Sequence, residues 1–272
     1  MLQFGLNHMT VARQGFASLL DTAAALGVAG IECRNDLPQA LFDGLAPEEA
    51  GERIRARGLR LLALAEVKRF NDWSSDKAAE AASLMKIARA AGAEAVSLIP
   101  RNDNLGMGNG ERQANLRIAL RELKPMLEDH GLVGLVEPLG FAVCALRSKT
   151  EAVEAIEALD ARGRFRLVHD TFHHFLAGGG PIFPDHTGIV HISGVVAPAI
   201  AADEMTDAHR VLVDGHDRLG NTAQIAALRA AGWQGILSFE AFAPETHAAA
   251  DPVSALRASM TFIGADLAAK AA

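Results

Sequence analysis

Short apolar runs alternate with Ala-rich helical segments along the whole chain, and this alternation repeats eight times. Strands that are apolar throughout and separated by helices are typical of a parallel sheet covered by helices. Eight such units in 272 residues, with no linker-like segment between them, favour an α/β fold closed into a (β/α)8 TIM barrel. We expect one domain spanning residues 1–272. A doubly wound open sheet is the alternative.

The apolar runs predict strands at 4–7, 30–33, 61–65, 95–99, 134–137, 165–170, 188–192 and 235–240. The segments between them predict helices at 15–26, 47–56, 75–91, 110–130, 149–161, 222–231 and 252–268. Residues 175–185 indicate a loop with at most a short helix. Residues 193–221 form a long loop, and loops of this length are often functional.

Composition and charge narrow the function classes. The net charge is -7, and Lys and Arg are spread along the helices, so no nucleic-acid partner is expected. Neither a secretory signal nor a membrane span is evident. The only two cysteines, Cys33 and Cys144, lie far apart, which favours a reducing, cytoplasmic location. Assembly into a homo-oligomer is left open.

Four of the predicted strands end in residues that bind metals, namely Glu137, Asp170, His191 and Glu240. A charged or imidazole group that closes a buried strand is costly unless something pairs with it. Barrel active sites lie at the carboxyl ends of the strands, so we expect these residues to converge on one divalent cation. Three carboxylates and one imidazole suit Mn²⁺, Mg²⁺, Co²⁺ or Zn²⁺. The alternative is four unrelated residues, each satisfied by hydrogen bonds or a neighbouring Arg.

The segment after the sixth predicted strand reads His169-Asp170-Thr171-Phe172-His173-His174. Asp170 and His173 are three residues apart in a turn, so both can face the same pocket. His173 is therefore a candidate to bind a substrate oxygen. We interpret His169 and His174 as supporting or surface residues.

The long loop at 193–221 carries many charged residues, most of which we expect to be solvated. Arg210 and the turn Asp214-Gly215-His216 are the parts predicted to reach the pocket. Arg210 and His216 are accordingly our candidates for further substrate contacts.

These residues carry a resemblance that spans nearly the whole chain. The chain resembles the xylose-isomerase-like TIM-barrel superfamily of sugar isomerases, epimerases and endonuclease IV-type enzymes. The motifs are Val136-Glu137-Pro138, Asp170-Thr171-Phe172-His173, Val190-His191-Ile192 and Leu237-Ser238-Phe239-Glu240. Within it, the chain is most similar to 2-keto-myo-inositol (inosose) isomerases, through the segments 170–175, 207–211 and 238–245.

The resemblance implies a metal-dependent isomerase of keto-cyclitols or keto-sugars. Glu137, Asp170, His191 and Glu240 would hold the metal, and Glu137 and Glu240 would double as acid/base residues. Proton transfer would pass through a metal-stabilised cis-enediolate. His173 and Arg210 would hold oxygens of a small polyol or ketose substrate.

Three departures from the family pattern bear on the substrate. After His191 the family usually has an Asp within two or three residues, whereas this chain has Ser193-Gly194. Ala243 stands where related chains carry Arg, and the family's Gly-x-Gly appears as Gly215-His216-Asp217. A partner for the metal ligands or a substrate contact is thus expected to be missing.

Other functions share parts of the pattern. A ketose 3-epimerase, a hydroxypyruvate isomerase and an inosose dehydratase would use the same ligand set. An endonuclease IV-like repair enzyme is suggested by Asp214-Gly215-His216, but the extra His ligands expected after the third and fourth strands are replaced by Glu66 and Arg101. A non-catalytic binding module is disfavoured because an open carboxylate and His site in a barrel is usually reactive.

Overall fold

A computed structural model describes residues 2–108 and 110–271 of the chain. Eight parallel strands form a closed barrel in chain order, with β1 paired to both β2 and β8. The strands are β1 Gln3–Asn7, β2 Gly30–Arg34, β3 Arg60–Lys68, β4 Ala95–Ile99, β5 Val133–Val136, β6 Phe165–Asp170, β7 Thr187–Ile192 and β8 Ile236–Phe239. The predicted (β/α)8 barrel is confirmed and the open sheet is excluded, because an open sheet has two edge strands with one neighbour each, whereas every strand here pairs with two others.

Helices surround the barrel and follow the strands. They are α1 Phe16–Leu26, α2 Pro47–Ala56, α3 Ser75–Ala91, α4 Glu111–His130, α5 Lys149–Ala158, α6 Thr171–Leu176, α7 Asn221–Ala230, α8 Pro244–His247 and α9 Pro252–Ala271. Hydroxyl and carboxylate side chains cap the N-termini of several of these helices. Ser148 accepts a hydrogen bond from the backbone of α5, and Asp170 accepts one from the backbone of α6, as helix N-caps do.

The amino-terminal half of the barrel is filled with hydrocarbon. Leu62, Leu135, Ile189 and Ile236 pack inside it. Gly5 lies in this layer, and a Cβ atom there would come within 2.9 Å of Ile236 and Leu62. The glycine therefore makes room for its larger neighbours. The buried charged side chains of the strands lie at the opposite, carboxyl end of the barrel.

Most predicted element positions agree with the structure, with differences at their ends. The largest concerns β3, which was predicted to end at residue 65 but runs on to Lys68, so Glu66 lies within the strand. β5 ends at Val136 and β8 at Phe239, which places Glu137 and Glu240 just beyond their strands. Within the described residues, no helix is both long and apolar enough to cross a membrane.

The long loop after β7 has a defined path. Two single-turn 3-10 helices occur at Ala202–Glu204 and Asp207–His209. Gly194 and Val211 then pair as an antiparallel bridge through two backbone hydrogen bonds of 2.7 and 2.8 Å. This bridge holds the neighbouring Arg210 over the carboxyl end of the barrel.

Candidate metal centre and substrate cavity

The four predicted ligands lie together at the carboxyl end of the barrel. Glu137 and Glu240 follow β5 and β8, whereas Asp170 and His191 belong to β6 and β7. All four are buried, and one donor atom from each lies within 4.8 Å of the others. We call these four residues the donor cluster. Adjacent strands of a parallel barrel end at the same level, and this is why residues from four separate segments meet.

The two ring nitrogens of His191 have different surroundings. Nε2 lies 3.1 Å from Glu32 Oε2, and Glu32 in turn accepts a hydrogen bond from Ser238. Nδ1 lies 3.2 Å from Glu240 Oε2 and 3.7 Å from Glu137 Oε1, and it is buried without a hydrogen bond. A nitrogen that faces two carboxylates needs a positive charge between them, either a proton or a cation.

Two arginines and an asparagine also contact the donor cluster. Arg210 Nη2 donates to Asp170 Oδ2 at 2.6 Å and to Glu240 Oε2 at 3.0 Å. Arg34 Nη1 donates to Glu240 Oε1 at 2.9 Å, and Asn7 Nδ2 donates to the same oxygen at 3.2 Å. Neighbouring arginines therefore do satisfy part of the site, as the alternative interpretation expected.

The arginines do not balance the carboxylates. Among the described residues, five buried carboxylates occupy this end of the barrel, namely Glu32, Glu66, Glu137, Asp170 and Glu240, against the two buried guanidinium groups of Arg34 and Arg210. Buried charges are tolerated when they are paired or coordinate a metal. The excess of negative charge and the free Nδ1 of His191 both fit a divalent cation held by the donor cluster.

The two glutamates of the donor cluster differ in their acidity. Burial, reinforced by the nearby Glu240 carboxylate, raises the pKa of Glu137 to about 7. Burial also opposes ionisation of Glu240, but His191, Arg210 and Arg34 outweigh it and hold the pKa of Glu240 well below its usual value. In the absence of a metal, Glu137 thus titrates near neutral pH while Glu240 stays ionised, and such a pair can both give and take protons.

A cavity of about 430 Å³ opens above the donor cluster. This volume is in the range of small-molecule sites. Glu137 and Glu240 form part of its wall together with Arg34, His173 and Arg210. Aromatic rings from Phe141 and Phe242 complete that side of the wall, so the cavity, which we call the mouth cavity, offers both hydrogen-bonding groups and flat apolar surface.

The three predicted substrate-binding residues have different positions. His173 is buried in the wall of the mouth cavity, and its Nδ1 has no hydrogen-bond partner. Arg210 lies in the same wall, with its guanidinium 4.5 Å from the centre of the Phe242 ring. His216 is exposed and is not among the cavity residues. Its backbone N–H donates to Asp214 Oδ1, so this turn closes on itself, and the structure does not bring His216 to the site.

Sequence reasoning missed Glu32 and Arg34, which lie on β2. The predicted strand at 30–33 stopped one residue before Arg34, and its charged residues received no role. Both residues are buried and contact the donor cluster. The available signal was their placement, because two charged residues within an otherwise apolar strand require partners inside the barrel.

The departures from the family pattern have structural counterparts. Ser193, in the segment where an Asp was expected, accepts a hydrogen bond from Arg210 Nε at 2.9 Å. The partner of His191 that was expected to be missing is supplied by Glu32 from across the barrel. Ala243 is buried, and its backbone N–H donates to the carbonyl of Arg210 at 2.8 Å.

Comparison with known proteins agrees with this architecture. A crystal structure of a xylose isomerase domain containing protein from Salmonella typhimurium LT2 is similar over 98% of this chain and 97% of its own, with a TM-score of 0.89 and 24% identity. The IOLI protein with a bound zinc atom matches over 99% of both chains, with a TM-score of 0.86 and 20% identity. A D-allulose 3-epimerase from Methylomonas sp. matches over 97% and 96%, with a TM-score of 0.70 and 17% identity.

Comparison with curated protein sequences gave no match. At these identities, the structural similarities establish the fold. The sequence model described as "Xylose isomerase-like TIM barrel" matches residues 20–264, which is most of the chain. The chain therefore belongs to the xylose isomerase-like TIM barrel family.

Proposed function

We propose that this protein is a divalent-metal-dependent isomerase that moves the carbonyl group of a keto-cyclitol or keto-sugar, of the 2-keto-myo-inositol type, to the neighbouring carbon. The observation that carries the proposal is the position of His191 Nδ1. It lies without a hydrogen bond between the carboxylates of Glu137 and Glu240, directly below a polar cavity of small-molecule size.

Glu137, Asp170, His191 and Glu240 would hold the ion. A bound Mn²⁺, Mg²⁺, Co²⁺ or Zn²⁺ would polarise the substrate carbonyl and stabilise negative charge on its oxygen. The zinc bound in the IOLI protein is consistent with a metal in this fold.

The reaction needs a proton to leave the carbon next to the carbonyl and another to arrive at the old carbonyl carbon. Glu137 and Glu240 are the carboxyl groups of the donor cluster that line the mouth cavity, so we assign proton removal and proton return to this pair. Positioned acid/base groups of this kind contribute about 10²–10⁴-fold to a rate. Arg210 and His173 line the same cavity and would hold hydroxyl or carbonyl oxygens of the substrate.

Epimerisation at the carbon next to the carbonyl is the second candidate. It uses two acid/base carboxyl groups in the same way, and the solved structures similar to this chain include an L-ribulose 3-epimerase and a D-allulose 3-epimerase. Hydroxypyruvate isomerisation and inosose dehydration share the same residue requirements.

One experiment separates these reactions. The protein is loaded with Mn²⁺ and incubated in D₂O with inososes, ketohexoses or hydroxypyruvate, and the products are followed by NMR. An isomer with deuterium at the old carbonyl carbon supports the proposal. An epimer with deuterium at its inverted carbon, or a product that has lost water, favours the corresponding alternative. No turnover of any of these compounds with any of the four metals would overturn the proposal.

A further inference from the structure

A second cavity, of about 250 Å³, lies beside the mouth cavity. His173 lines both. Its other walls include Arg147 and Lys149, just before and at the start of α5, and His174 and Gly179, from the segment after β6. None of the residues that line it is acidic. We call it the lysine cavity.

Lys149 is the first residue of α5, and its side chain is buried. Its Nζ lies 2.8 Å from Nδ1 of His169 and 2.8 Å from Nδ1 of His174. Among the described residues, no carboxylate lies within salt-bridge distance of this amine, in contrast to the buried Arg34 and Arg210, which pair with carboxylates of the donor cluster. Burying an ammonium group without a counter-ion is costly.

The hydrogen bonds around His169 define the direction of its bond to Lys149. The amide nitrogen of Gln224 donates to the carbonyls of Thr171 and Leu219. Gln224 Oε1 is therefore the acceptor for His169 Nε2, 2.9 Å away. His169 then carries its hydrogen on Nε2, and its Nδ1 lone pair accepts a hydrogen from Lys149.

A neutral amine has two hydrogens and one lone pair. Here His169 Nδ1 accepts one of the hydrogens, and His174 Nδ1 lies 2.8 Å from the same nitrogen. The neutral amine has the lone pair that a nucleophile needs. Burial lowers the pKa of Lys149 to about 7 and outweighs the opposing effect of the Asp170 carboxylate. Arg147 is a further positive group in the same wall. Lysines that are desolvated or placed beside another cation are the ones that act as nucleophiles in enzymes.

We propose that Lys149 is a carbonyl-reactive lysine that forms a Schiff base with a small aldehyde or ketone bearing a carboxylate, which enters the lysine cavity. The cavity has the volume for such a molecule, and its positive, acid-free wall favours the carboxylate. This site is distinct from the donor cluster, and the inference does not depend on the proposed isomerase activity.

The chemistry balances without an oxidant or reductant. The lone pair of Nζ attacks the carbonyl carbon, the carbonyl oxygen takes up a proton, and a carbinolamine results. The hydroxyl group then gains a second proton and leaves as water, the nitrogen loses its remaining proton, and the C=N bond forms. The two protons that the nitrogen gives up equal the two that the oxygen gains. His169 Nδ1 already accepts a hydrogen of the amine, so this imidazole is placed to relay the protons that the nitrogen loses.

The experiment traps the imine. The full-length protein is exposed to a limiting amount of glyoxylate and sodium cyanoborohydride at neutral pH, which converts a Schiff base into a stable carboxymethyl-lysine, and peptide mass spectrometry locates the label. We expect Lys149 to be labelled at least about tenfold faster than the exposed Lys86, although it is buried. Its labelling rate should reach a plateau above pH 7.

Two outcomes would overturn the proposal. One is labelling of Lys149 that is no faster than that of Lys86 within the same unmodified protein, a comparison that needs no variant. The other is undiminished labelling of the peptide containing residue 149 in Lys149→Arg, which keeps hydrogen-bond donors toward both histidines but has no nucleophilic amine. Labelling at Lys149 without turnover of any keto-sugar would leave this proposal standing while the isomerase proposal fails.

Discussion

Glu32 Oε2 lies 3.1 Å from His191 Nε2, and this contact joins β2 to β7 across the inside of the barrel. A carboxylate on one ring nitrogen places the hydrogen there and leaves the other nitrogen as a lone-pair donor. Because the other nitrogen, Nδ1, faces Glu137 and Glu240, Glu32 orients His191 for metal binding.

Glu32→Gln is expected to weaken metal binding by about 10–100-fold, because outer partners of metal-binding histidines contribute that much to affinity. Competition with a fluorescent chelator measures the change in Kd for Mn²⁺ or Zn²⁺. Glu49→Gln, on the exposed face of α2, is the matched control and should bind like the wild type. Equal affinity in Glu32→Gln and Glu49→Gln would contradict the orienting role.

Glu240→Gln is expected to abolish turnover and to weaken metal binding. The substitution removes one negative oxygen from the donor cluster and also an acid/base group whose loss costs about 10²–10⁴-fold in rate. Product formation measured by NMR and metal affinity measured by chelator competition check both effects. Glu245→Gln, on the exposed part of α8, controls for the loss of charge. A fully active Glu240→Gln enzyme would show that the assignment is wrong.

Removal of the metal is expected to stop the reaction and to destabilise the fold. Treatment with a chelator, followed by its removal, should leave an inactive protein that regains activity with Mn²⁺ or a related ion. A ligand that binds only the folded state at 100 times its Kd adds about 2.7 kcal/mol to the free energy of unfolding, so the melting temperature should rise on reloading. Rates that stay unchanged after complete metal removal would count against the scheme.

The buried amine of Lys149 predicts a dependence of stability on pH. Its pKa is lowered by burial from 10.5 in the unfolded chain to about 7 in the fold. Between these values the unfolded chain binds more protons than the folded one, so this residue makes stability rise with pH, by up to about 1.4 kcal/mol per pH unit. The free-energy cost of burying the Lys149 ammonium lowers stability by its full amount below pH 7. This cost is lost as the pH rises toward 10.5.

Denaturant unfolding of the wild type and of Lys149→Met between pH 6 and pH 10 measures this effect. The difference in the free energy of unfolding between the two proteins should shift in favour of the wild type as the pH rises. Lys86→Met, at an exposed position on α3, serves as the control. A difference between wild type and Lys149→Met that is constant across this range would show that the amine remains charged in the fold.

Local patterns in the sequence were sufficient for the fold and for the donor cluster. The eightfold alternation of apolar runs and helical segments predicts a parallel sheet covered by helices and favours a closed barrel, because the side-chain period and the connection length are properties of neighbouring residues. Once the barrel is assumed, strand-end residues such as Asp170 and Glu240 must lie at one end of it. Their convergence was therefore predictable without knowing a single long-range contact.

Other features depended on packing between distant segments. Glu32 and His191 are 159 residues apart in the chain, and no local pattern shows which charged residue of β2 reaches which ligand. His216 was expected in the site, but the turn after Asp214 lies outside, since its hydrogen bonds are satisfied locally.

Lys149 is the clearest example of a residue whose surroundings could not be predicted from the local sequence. In the sequence it is one more lysine at the start of a helix, where an exposed position is usual. Only the packing of α5 against β6 and α6 encloses its amine between two imidazoles. The sequence by itself determined the barrel and the residues at its carboxyl end, because these follow from local periodicity. The tertiary structure alone decided which buried charges are paired and which amine is left without a counter-ion, because burial and distance arise only when remote segments come together.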